Sequence, residues 1–142
     1  MTWKPILISG FLLALFSIVP SFGQERRNNH PPLQSYAGAW KESCADGKEF
    51  VEVTLESTAS GLTGAVSMGN FKGDNGQCAT VVSPPSPEHA MRVVDVKLQG
   101  AVLSFRGNRG PSFEMTLKDG GAAELKFLGT PVEDRPWVLK RQ

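Results

Sequence analysis

Tyr36-Ala37-Gly38-Ala39-Trp40 is the stretch from which the architecture of this chain can be built. A Gly two residues before a Trp lets the backbone turn tightly and then commit a large ring to a core. The indole brings on the order of 200 Å² of burial and one N–H that needs an acceptor. Outward from Trp40 the chain reads as short alternating segments broken by turns, as far as Arg135-Pro136-Trp137-Val138-Leu139-Lys140-Arg141. The first and last segments are expected to lie side by side and to close one β-barrel over Trp40.

The segments between them carry the period-two signal of strands. Trp40 to Cys44 is the first, and Asp46-Gly47 marks a hairpin turn. In Glu49 to Ser57, Val51, Val53 and Leu55 alternate with Glu52, Thr54 and Glu56, so one face is buried and the other wet. Leu62 to Met68 follows, and Gly64 inside it predicts a bend or bulge. Gly69 to Gln77 reads as a loop and Cys78 to Ser83 as a short strand. Ser83-Pro84-Pro85-Ser86-Pro87 cannot join a ladder. Arg92 to Leu98, Ala101 to Arg106, Phe113 to Leu117, Ala123 to Phe127 and Trp137 to Lys140 complete the set. About nine strands, mostly joined by hairpin-length turns and with no helix, predict an all-β antiparallel meander. The pattern admits a barrel or a two-sheet sandwich. The up-and-down barrel of 8–9 strands is preferred, because sequential hairpins need no crossover and closure removes sheet edges.

The amino terminus has a different character. Lys4 precedes a nearly continuous apolar run, Ile6 to Val19, and Ser21-Phe22-Gly23 follows Pro20. A charged start, an apolar run short for a membrane span, and small residues before Gln24 predict a signal peptide over residues 1–23. A flexible leader over 24–35 and a single β-barrel domain over 36–142 follow. Lys and Arg together number 15 against 14 Asp and Glu, and residues 1–23 hold one Lys and no acid, so the exported chain is neutral. A neutral chain without a basic stripe argues against nucleic acid as a partner and against attachment to an anionic membrane after signal cleavage. The predicted localisation is secreted or periplasmic.

Export also bears on Cys44 and Cys78, the two cysteines of the chain. In an oxidising compartment a disulfide is the default. It would close a loop of about 35 residues, worth roughly 4 kcal/mol in the chain-entropy model. A free thiol pair or half of a metal site are the alternatives, but neither Cys lies in a C-x-x-C, and His30 and His89 sit in Pro-containing segments.

Gly38-Ala39-Trp40 resembles the G-x-W motif of lipocalins and the wider calycin group. The resemblance implies a small barrel in which the Trp closes one end and an Arg of the last strand packs across it. Arg141 and Arg135 are the candidates. Gly61-Leu62-Thr63-Gly64 and Pro136-Trp137-Val138-Leu139-Lys140-Arg141 are also similar to small β-barrel domains of secreted bacterial proteins. Gly38, Trp40 and Arg141 are thus read as structural, and the family's ligand-carrying role becomes an expectation.

Catalytic chemistry finds little support. Gly64-Ala65-Val66-Ser67-Met68-Gly69 has the wrong spacing for a nucleophile elbow, and Glu88-His89 stands in a Pro-rich loop. Asp74-Asn75-Gly76 lacks the terminal acid of a Ca²⁺ loop and reads as a turn. The chain is therefore expected to be no enzyme, with no cofactor and no metal. Two functions remain. One is a binding module whose interior or mouth takes a small apolar ligand, lined by Gly64, Val66, Met68, Leu103, Phe105, Met115 and Phe127. The other is a structural or protein-interaction module, in which the same residues form a packed core. It would act through the loops around Phe71-Lys72-Gly73 and Asn108-Arg109-Gly110. Interior volume separates the two.

Overall fold

Gly38 opens the first strand at a φ of 134°, a backbone conformation that side chains disfavour. The computed structural model describes residues 29–142. The expected signal peptide and the first part of the leader lie outside the described residues. From Gly38 the chain forms β1 (Gly38–Ser43), β2 (Glu49–Thr58), β3 (Gly61–Met68), β4 (Asn70–Asp74) and β5 (Gln77–Ser83). It continues as β6 (Met91–Gln99), β7 (Val102–Gly107), β8 (Ser112–Lys118), β9 (Ala122–Phe127) and β10 (Trp137–Arg141). Eight strands close an antiparallel barrel in the order β1-β10-β9-β8-β7-β6-β3-β2. The fold is all-β and a barrel, and β1 pairs with β10 as the closure over Trp40 requires.

The alternating segments form the barrel wall, and their apolar sides form its interior. Val51, Val53 and Leu55 of β2 pair across with Met68, Val66 and Gly64 of β3 in an unbroken register. No bulge occurs at Gly64. A Cβ there would stand 1.9 Å from the Thr54 carbonyl oxygen, so glycine permits a close approach of two strands rather than a bend.

The meander has one interruption that the sequence pattern misses. Residues 70–74, read above as loop, are strand β4, which pairs with β5 as a hairpin outside the barrel. The barrel resumes only at β6, which pairs with β3 at Ala65↔Arg92 and Val66↔Met91. The hairpin turn is Asn75-Gly76, with φ of 50° and 76°, both positive as a tight type I′ turn requires. Phe71 is the single large apolar residue of β4, so no alternation announced the strand.

Two other elements differ from expectation. Leu33–Tyr36 is a 3-10 helix that begins within the stretch expected to be leader; Tyr36 is fully buried and Leu33 packs against the core. A second short 3-10 turn, Pro87–His89, lies in the Pro-rich loop, and Ser86 caps it by accepting from the Glu88 N–H. Among the described residues no helix is long and apolar enough to cross a membrane.

Candidate functional site

The two ends of the barrel have different chemistry. At the Trp40 end everything is closed. Trp40 is buried, and its Nε1 donates to the Tyr36 carbonyl at 2.9 Å. The Arg141 guanidinium lies 4.2 Å from the ring centre. Its Nη1 and Nη2 donate to the Ala37 and Ser35 carbonyls, each at 2.6 Å. Arg141, not Arg135, is thus the arginine that packs on Trp40. The Tyr36 hydroxyl donates to the Ala101 carbonyl at 2.6 Å, tying the 3-10 helix to the turn before β7, and burial pushes its phenol pKa up. The indole N–H, the phenol and both terminal guanidinium nitrogens are thus bonded within the seal, so this end holds the fold.

The interior does not offer a pocket either. Val66, Leu103 and Met115 are fully buried and Phe105 nearly so, all within one continuous core. Phe105 stacks on Phe113 at 5.5 Å and Phe113 meets Phe127 at 4.9 Å. The four inner residues read as lining a ligand cavity are therefore wall and filling. With so few strands, rings and branched chains of this size meet across the lumen.

Met68 and Phe127 have a different position. Both are only partly buried, and both lie at the end opposite Trp40. There a cleft of about 260 Å³ is lined mainly by Met68, Phe71, Phe127, Pro131, Val132 and Trp137. Its rings form a cluster: Trp137 stands edge-on to Phe50 at 5.2 Å and to Phe71 at 6.3 Å, and Phe50 meets Phe71 at 5.0 Å. The Trp137 Nε1 donates to the Gly76 carbonyl at 2.8 Å, so the indole is anchored to the turn of the β4–β5 hairpin.

Further restraints hold that hairpin over the barrel end. Cys44 and Cys78 form a disulfide across 34 residues of sequence. Asp46 accepts from the Lys48 N–H through Oδ1 and from the Val81 N–H through Oδ2, each at 3.0 Å. These bonds hold the Asp46 carboxyl below its ordinary pKa. The Gln77 Nε2 donates to the Arg135 carbonyl at 3.0 Å, joining the hairpin to the loop that leads into β10.

The same loop supplies the far wall of the cleft and satisfies its own polar groups. The Thr130 hydroxyl donates to the Phe127 carbonyl at 2.7 Å and accepts from the Val132 N–H at 3.2 Å. Glu133 accepts from the Gly129 N–H at 2.8 Å. With the Trp137 N–H and the Thr130 hydroxyl already bonded, the cleft presents rings, a thioether and methyl groups.

Phe50, Val132 and Trp137 were not among the residues expected at a site, and Phe71 was expected only in a loop of the protein-interaction alternative. Phe50-Val51 is a pair of adjacent buried residues within an alternating strand, and β1 and β2 change register between Glu42 and Ser43. That adjacency was the readable sign. For Phe71 and Val132 the sequence holds no comparable sign, because both sit in segments without periodicity. His89 is exposed at the end of its 3-10 turn. Among the described residues no group of three His, Cys, Asp or Glu side chains comes together. Comparison with family models, with curated proteins and with solved structures returned no match to this chain.

Proposed function

We propose that this chain is a secreted or periplasmic, non-enzymatic, lipocalin-like module that binds a small apolar molecule at its mouth, between Phe71, Phe127, Val132 and Trp137. The observation that carries this reading is the cleft of about 260 Å³ walled by those side chains at the end opposite the Trp40 seal. Its size bounds the ligand. Pockets for drug-sized molecules run from roughly 300 to 1,000 Å³. A single ring or a short branched chain suits this cleft, and a retinoid or haem does not.

Titration with toluene, indole and naphthalene tests the reading, with Trp137 fluorescence as the signal in a Trp40→Phe background. A saturable change lost in Phe127→Glu supports it. Absence of saturation up to the solubility of all three probes retires it.

The packed interior favours a second reading, in which the barrel is a protein-interaction module and the mouth takes an apolar side chain of a partner. A thermal shift separates the two. Free ring compounds raise Tm in the first case and leave it unchanged in the second.

A further inference from the structure

The barrel closes along a short seam. β1 and β10 share the register pairs Trp40↔Arg141 and Lys41↔Lys140. Glu42 is the next residue of β1, and alternation from Trp40 puts it on the inner face. Its cross-strand partner in β2 is the fully buried Val51. An apolar neighbour gives a carboxyl nothing to bond. Among the described residues Glu42 Oε2 is buried without a hydrogen-bond partner. The same residue borders a cleft of about 340 Å³ that runs along the seam with Lys41, Glu49, Val138 and Lys140.

Charged groups of three strands stand beside this position on the outer face, where Lys41 has Lys140 and Glu52 as cross-strand partners. Lys41 of β1 is engaged by Glu49 at 3.1 Å and by Glu52 at 4.0 Å, both from β2. Lys140 of β10 is the cation whose field acts on Glu42. Burial pushes the Glu42 carboxyl up to about 7, and the Val138 N–H and Lys140 pull it down without offsetting that. A partly buried carboxylate without full pairing is costly, and taking up a proton relieves the cost.

We infer that Glu42 is a proton-operated latch on the closing seam of the barrel. Protonated, it lies between β1 and β10 without charge. Ionised, it draws water and Lys140 toward the seam and loosens the ladder. Val138 is bonded in sequence to Trp137, so loosening there reaches a wall of the apolar cleft, although the latch itself does not depend on what that cleft binds.

The sign follows from linkage. The folded-state pKa lies above the ordinary 4.5, so between about 4.5 and 7 the folded chain holds a proton that the unfolded chain has lost. Seam stability falls as pH rises through that window and stays low above it.

Amide hydrogen exchange of the folded protein from pH 5.5 to 8.5, corrected for intrinsic rates, tests this. Protection of the Lys41 and Lys140 amides, which face each other across the seam, is expected to fall by up to about thirtyfold over that range, because about 1.5 pH units of it lie below the raised pKa, while β7 and β8 amides hold steady. In Glu42→Gln the seam amides are expected to stay protected throughout. A flat wild-type profile, or the same fall in Glu42→Gln, overturns the latch. Carbon-13 titration of the wild-type Glu42 carboxyl decides the matter without any variant. A midpoint near 7 supports the latch, and one in the ordinary carboxylate range overturns it.

Discussion

Arg141 closes the barrel by lying over Trp40 at 4.2 Å while its two guanidinium nitrogens bond the Ala37 and Ser35 carbonyls. One side chain thereby joins the last strand, the first strand and the 3-10 helix before it. A lysine has no planar fork to reproduce this. Arg141→Lys should lose ~1–2 kcal/mol in urea melts, from one cation–π contact and two charge-assisted bonds at a partly wet site. A loss under ~0.3 kcal/mol would mean that the clamp is idle.

Trp40 itself stands under that clamp, buried and bonded to Tyr36. Trp40→Ala should cost ~3–5 kcal/mol, the usual range for truncating a core ring. Chemical denaturation followed by circular dichroism measures it, and a change below ~1 kcal/mol would place closure elsewhere.

Two methionines separate core from mouth. Met115 is fully buried among the rings of β7–β9, whereas Met68 borders the open cleft. Met115→Trp should overpack the interior and cost ~1–3 kcal/mol. Met68→Trp should leave Tm nearly unchanged and abolish binding of ring compounds. Equal melting temperatures for the two variants would contradict a filled lumen.

The disulfide should be present in the native protein, where non-reduced peptide mass spectrometry is expected to find Cys44 joined to Cys78. Cys78→Ser should cost up to ~4 kcal/mol in the chain-entropy model. It should also free the hairpin that carries Phe71 and Gly76, so that ring binding weakens even where the barrel stays folded. Unchanged affinity in a folded Cys78→Ser variant would show that the hairpin is held without the bond.

Asp46 predicts a pH response opposite in sign to that of Glu42. Hydrogen bonds from the Lys48 and Val81 N–H groups depress its pKa below 3.8. Its contribution is therefore present above the unfolded value and is lost as pH falls through the lower folded one. Because the group is exposed, the effect is small and local. The protection of the Val81 amide, corrected for intrinsic exchange, should fall in acid in the wild type and be low at all pH values in Asp46→Ala. An Asp46→Ala profile identical to the wild type would show that Val81 is protected by other contacts.

Period-two alternation made most of the wall readable, because in Val51-Glu52-Val53-Thr54-Leu55 each side chain declares its face without reference to any other strand. The Gly38–Trp40 step followed from local chemistry, the β1–β10 closure from the succession of hairpins, and the pairing of Cys44 with Cys78 from there being two cysteines in a chain expected to be exported. Neighbours in space were not readable where a segment leaves the wall of the barrel. β4 became a strand only because β5 folds back on it, and β3 meets β6 only because that hairpin leaves the wall. Facing inward likewise did not tell filling from lining. Val66, Leu103, Phe105 and Met115 point the same way as Met68, yet only depth along the barrel decides which touch other rings and which touch open space. Glu42 drew no reading from the sequence, and its meaning came from the point at which two distant strands stop pairing. Sequence determined which face each residue takes, since that is a property of one strand. Tertiary structure decided what stands opposite, since that is a property of several strands at once.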